Sequence, residues 1–60
     1  MRSEQVQAPS GAWWYVVLSW DDGPVIVSPA IYATEAAASE KAADEIRRLE
    51  AVYNRRRGHG

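Results

Sequence analysis

The sequence predicts an α+β fold, a β-hairpin followed by a single helix in the order ββα. Three observations carry this. Residues 13–20, Trp-Trp-Tyr-Val-Val-Leu-Ser-Trp, are aromatic and β-branched, which is strand composition. Asp21-Asp22-Gly23-Pro24 then supplies turn chemistry ahead of a second apolar run, Val25-Ile26-Val27. From Glu35 to about Tyr53 there is neither Gly nor Pro, and Ala is abundant, which favours helix.

The chain divides into residues 1–12, a flexible N-terminal arm; 13–54, the ββα domain; and 55–60, a basic disordered tail. The arm is assigned from its polar residues and from Pro9-Ser10-Gly11 near its end. Strand one follows at 13–20. Asp22-Gly23 at the centre of a two-residue loop favours a type I′ turn, in which both central residues take positive φ. Strand two is Val25-Ile26-Val27-Ser28, ended by Pro29. Thr34 is the candidate N-cap, because its hydroxyl can accept from a free amide one turn on. Glu35 sets a negative charge at the positive end of the helix dipole. Ala38, Ala42, Ile46, Leu49 and Tyr53 recur at steps of three and four and so share one helix face. Lys41–Glu45 and Asp44–Arg48 are i,i+4 pairs away from it. Asn54 is the candidate left-handed residue that closes the helix.

The hairpin register decides which side chains share a face. A two-residue loop sets Trp20 opposite Val25, Leu18 opposite Val27 and Ser19 opposite Ile26. One face then carries Trp14, Val16, Leu18, Trp20, Val25 and Val27, all apolar. It is expected to lie under the helix. The other carries Trp13, Tyr15, Val17 and Ile26 with Ser19 and Ser28. A single helix covers one face of two strands, so these four residues are expected to form an exposed partner-binding patch.

The edges point the same way. Pro24 and Pro29 bracket strand two, and proline cannot donate to a ladder, so this strand reads as an outer edge. Strand one has no proline and no charge. Left open, it is a template for pairing. The expected assembly is a homodimer through strand 13–20, with a four-stranded antiparallel sheet in the order 2-1-1′-2′ and two helices on one face.

Length and composition agree that help from a partner is needed. The chain has 60 residues and no Cys. A domain of this size buries only about 60 % of its unfolded surface, and small domains usually lean on disulfides, a metal or a partner chain. Zero Cys removes disulfides and the commonest zinc sites. Residues 1–12 contain no apolar signal core, and the uncharged stretch from Val6 to Trp20 is too short and polar to cross a bilayer. A cytoplasmic location is expected.

Candidate chemistry is sparse. The single His, His59, lies in Gly-His-Gly at the C-terminal end. A nucleophile–base pair needs a positioned base within reach. Asp21 and Asp22 sit in a turn, where Asp is favoured for its backbone geometry, and no further oxygen ligands follow at calcium-loop spacing. The glycines form no phosphate-cradling loop. No enzyme activity, cofactor or metal is expected. Charge is strongly segregated. Between Ser3 and Glu40 there is no Lys or Arg, whereas residues 41–60 hold six basic and three acidic residues, a balance of +3. Arg47, Arg48, Arg55, Arg56 and Arg57 are therefore the candidate nucleic-acid contacts, at the helix end rather than on the sheet.

The run Trp14-Tyr15-Val16-Val17, Asp22-Gly23 and Tyr32-Ala33-Thr34-Glu35-Ala36-Ala37-Ala38 resembles a pattern in small uncharacterised proteins of actinobacteria and their phages. The resemblance spans about residues 13–50. It implies a hairpin–helix fold with no catalytic residues, and a phage or mobile-element protein that binds and inhibits or redirects a host complex. The expected function is thus a small non-enzymatic protein-binding module. The alternative is nucleic-acid binding through the arginine-rich helix end.

Overall fold

A computed structural model of the chain describes residues 1–21 and 23–57, with the backbone alone for Arg56 and Arg57. It is α+β: three antiparallel strands, then one helix. The strands are β1 (Arg2–Gln7), β2 (Trp13–Leu18) and β3 (Pro24–Val27), and the helix is α1 (Glu35–Arg57). The sheet order is β1-β2-β3, so β2 is central and α1 lies across β1 and β2.

β1 corrects the expectation of a flexible arm. Its composition is polar, with Val6 the sole apolar side chain, so propensity alone does not reveal it. It forms because Arg2 to Gln7 pair in continuous register with Leu18 to Trp13. The connection is made by the residues that suggested disorder. Gly11 N–H donates to the Ala8 carbonyl at 2.9 Å, enclosing Pro9 and Ser10, and Gly11 takes φ +95°. Ala8 N–H donates to the Ala12 carbonyl at 2.7 Å. Proline second in the turn and a left-handed glycine fourth is the arrangement of a turn with a glycine bulge, which joins strands tightly.

This pairing also corrects the expected dimer. The edge of β2 that was to receive a second copy is filled by β1 of the same chain. Both sides of β2 are thus occupied, and the four-stranded order 2-1-1′-2′ has no place in this sheet.

The β2–β3 hairpin is present with a different register. Val16 pairs with Val27 and Val17 with Ile26, and a bulge brings Leu18 opposite Pro24. The loop therefore runs from Ser19 to Gly23, closed by Ser19 N–H donating to the Gly23 carbonyl at 2.9 Å. Gly23 does not adopt a left-handed φ, so the type I′ geometry is absent; a residue before proline is pushed toward extended backbone. Asp22 lies outside the described residues. The Asp21 carboxylate accepts from the Ser19 hydroxyl and from Gly23 N–H, the latter at 3.2 Å. The Ser19 bond first, and the Gly23 bond second, hold the Asp21 carboxyl below its ordinary value. Asp21 thus has the turn role expected of it.

After β3 the chain returns to β2. Tyr32 and Trp13 exchange backbone hydrogen bonds of 2.7 and 3.1 Å in an isolated antiparallel bridge. Buried Ser28 locks the departure: its hydroxyl accepts from Tyr15 N–H at 2.8 Å, and its own N–H donates to the Tyr15 carbonyl at 2.9 Å. Helix α1 then starts where expected, with the Thr34 hydroxyl accepting from Ala37 N–H at 3.1 Å. It continues through Asn54 to Arg57, beyond the predicted end. Arg55 to Arg57 are helical and not tail; the segment from Glu35 to Arg57 offers no Gly or Pro to stop it. Residues 58–60, including His59, lie outside the described residues. The helix ion pairs form at i,i+3, joining Asp44 to Arg47 and Glu45 to Arg48, in place of the expected Asp44–Arg48 pair.

Candidate docking surface

Opposed residues in an antiparallel ladder point to one face and neighbours along a strand to opposite faces. One sheet face therefore carries Trp13, Tyr15 and Val17 from β2, Ser3 and Gln5 from β1, and Ile26 from β3. The other carries Trp14, Val16 and Leu18 from β2, Arg2, Glu4 and Val6 from β1, and Val25 and Val27 from β3. The sequence register was displaced by two residues, which preserves parity, so the partition between faces is the predicted one. What the structure reverses is which face the helix covers.

The core is Tyr15, Val17, Ala38 and Ala42, with Trp13, Ile26, Tyr32, Ile46 and Leu49 packed against it. Val17, Ala38 and Ala42 are fully buried, and Tyr15 is 4 % exposed. The four predicted patch residues, Trp13, Tyr15, Val17 and Ile26, are therefore brought together, but as the sheet's half of the core. Tyr15 and Val17 are buried, and Trp13 and Ile26 are partly buried against them. Two physical features select this face. The Tyr32–Trp13 bridge places Tyr32 on the Tyr15 side, with ring centroids 5.8 Å apart. The helix stripe begins with Ala38 and Ala42, whose small size lets the helix approach closely over large side chains supplied by the sheet. Burial, followed by the charge of Tyr32, raises the Tyr15 phenol above its ordinary value of 10.0.

The stripe is otherwise as predicted. Ile46 and Leu49 continue it, and Tyr53 ends it as an exposed ring tilted at 48° against Trp20, with centroids 5.1 Å apart. Trp20 thereby leaves the face assigned to it and wraps the end of the sheet toward the helix.

The face opposite the helix is left bare. Val27 is 62 % exposed, Val25 46 % and Val6 38 %, flanking the half-buried Trp14, Val16 and Leu18. Its charges are Arg2 and Glu4, on the outer strand β1, paired with each other at 2.8 Å. The apolar centre is uncharged, and the Arg2–Glu4 ion pair sits at the rim. Sequence reasoning identified this apolar set and missed its exposure.

The alternative site is less organised. Arg47 and Arg48 lie in ion pairs with Asp44 and Glu45, and Arg55 is exposed on the helix end. The side chains of Arg56 and Arg57 lie outside the described residues. The surface hollows are shallow. A groove of about 270 Å³ is lined by Tyr32, Ala37, Glu40, Lys41 and Asp44, and one of about 250 Å³ by Met1, Arg2, Ser19 and Trp20. Among the described residues, no cluster of three His, Asp or Glu is placed to hold a metal ion, and no helix is long and apolar enough to cross a membrane. The chain matches no protein-family model, no curated protein and no solved structure.

Proposed function

We propose that the protein is a small non-enzymatic protein-binding module that docks partners on the bare sheet face. The observation that supports this is the exposure of Val6, Val25 and Val27 around Trp14, Val16 and Leu18, with no described strand or helix laid over them. Soluble proteins rarely leave a contiguous apolar surface uncovered unless something binds there. An apolar centre with a charged rim is the anatomy of a protein interface, and an aromatic anchor such as Trp14 is typical of its strongest contact. The resemblance to phage and actinobacterial small proteins adds the expectation that a host complex is engaged.

Nucleic-acid binding through Arg47, Arg48, Arg55, Arg56 and Arg57 has weaker support, since Arg47 and Arg48 already face carboxylates. Two variants separate the readings when used as baits against an actinobacterial lysate. Val27→Glu places a charge in the apolar centre and is expected to lose the captured protein, while truncation after Asn54 retains it. Capture insensitive to Val27→Glu but lost on truncation, and falling steeply with salt, would point instead to phosphate contacts.

A further inference from the structure

We infer that β1 is a displaceable strand, and that the edge of β2 on which it lies is a binding site for an extended polypeptide segment with two apolar side chains two residues apart. This site is separate from the bare sheet face and does not rest on it. The first support is a mismatch inside the β1–β2 ladder. Ser3 pairs with Val17 and Gln5 with Tyr15, the two sheet residues buried in the core. Ser3 and Gln5 are half-buried, on the face that the helix covers. The Gln5 side-chain amide donates to the Ser3 hydroxyl at 2.9 Å, so the two polar groups partner each other beside an apolar core. Apolar cross-strand pairs are what stabilise a ladder, and a strand that is polar on both faces is weakly held and open to alternate pairing. β1 is of that kind, with Ser3, Gln5 and Gln7 in one row and Arg2 and Glu4 beside Val6 in the other.

The second support is the connection. Residues 8–12 are small, and they turn about Gly11, whose φ of +95° glycine adopts without strain. This turn lets β1 swing aside while β2 keeps its pairing with β3 and its packing under α1. The edge does not stay empty, because a lone hairpin is marginal in water. β1 therefore leaves as another strand takes its place.

The mismatch also sets the chemistry of the incoming segment. A tethered strand competes at an effective concentration on the order of millimolar for a short linker, so only a better-matched strand displaces it. Apolar side chains at the places of Ser3 and Gln5 meet Val17 and Tyr15 and supply the missing cross-strand pairs. The β1 of a second copy carries the same polar row and gains nothing over the resident strand. The far edge of the sheet is a poor alternative. β3 is four residues long and begins with Pro24, with Pro29 just beyond it, and short, proline-bounded edges resist pairing.

Amide hydrogen exchange of the full chain, read by nuclear magnetic resonance, tests this. The probe is a synthetic peptide of residues 1–8 with Ser3→Val and Gln5→Val, and the natural 1–8 peptide is its control. At about 1 mM, near the tether's own effective concentration, the valine peptide is expected to speed exchange of the β1 amides roughly tenfold, the scale of two apolar cross-strand pairs. The β2–β3 ladder and α1 are expected to stay protected, and the natural peptide to leave β1 unchanged. The full chain carrying Ser3→Val and Gln5→Val is expected to fold and to resist the valine peptide. Unchanged or increased β1 protection with that peptide overturns the inference, an increase placing it outside β1 as a fourth strand. So does equal displacement by both peptides, or a doubly substituted chain that yields to the peptide as readily as wild type. A doubly substituted chain that fails to fold overturns it too, because the site then rejects apolar side chains. Val27→Glu lies on the opposite face and is expected to leave displacement intact. Displacement lost in that variant would assign the peptide to the bare face, which refutes the separate site and leaves the docking reading standing.

Discussion

Tyr15→Ala is expected to abolish the folded state. The ring is 4 % exposed, touches the fully buried Val17, Ala38 and Ala42, and packs against Tyr32. Truncating a buried aromatic to alanine costs about 3–5 kcal/mol, from lost transfer energy and the cavity left behind. The whole stability of a chain this size is on the order of 3–9 kcal/mol. A thermal melt followed by circular dichroism should show either no cooperative transition or a midpoint lowered by more than about 12 °C. Had the ring stood on an exposed patch, the variant would keep its fold and lose only a partner. A near-wild-type melt is the outcome that sinks the placement of Tyr15 in the core.

Removal of residues 1–8 is the second large effect. It strips β1 from the sheet, frees one edge of β2, and takes away half of the surface on which the helix rests. A lone two-stranded hairpin is marginal in water, whereas three strands packed on a helix are viable. The helix cannot compensate by propensity, because helical stability in proteins comes mostly from packing an amphipathic face. The truncated chain should show weak, non-cooperative helix signal at room temperature. A truncated chain that melts like the full one would mean that residues 1–8 are a dispensable arm after all.

How far the sequence was legible varies along the chain for physical reasons. The N-cap at Thr34 and the stripe from Ala38 to Tyr53 are local signals, and local signals survived. The partition of β2 and β3 into two faces follows from alternation and withstood a register error of two residues. β1 was invisible because Arg-Ser-Glu-Gln-Val-Gln has little strand preference of its own; a long-range ladder makes it a strand. The clue was Ala8-Pro9-Ser10-Gly11, whose proline and glycine fit a tight turn as well as a linker. The covered face was misjudged because both faces are apolar. The decision lay in the connector, where Tyr32 rejoins Trp13, and in the match of small helix residues to large sheet residues. Neither is visible in hydrophobicity. The helix end was misplaced because Asn54 only permits a stop, and the arginines after it are good helix formers.

The candidate site followed from that one reversal. Trp13, Tyr15, Val17 and Ile26 were singled out for being apolar on the supposedly bare side. Inverting the cover turned them into core and left Trp14, Val16, Leu18 and Val27 for docking.

The claim on which the rest depends is that α1 covers the Tyr15–Val17 face. Nuclear Overhauser contacts from the Ala38 and Ala42 methyl groups read this directly. They are expected to reach the Tyr15 ring and the Val17 methyls. Contacts from the same methyls to Val16 and Leu18 instead would contradict the account, put the helix on the opposite face, and return the exposed surface to Trp13, Tyr15, Val17 and Ile26.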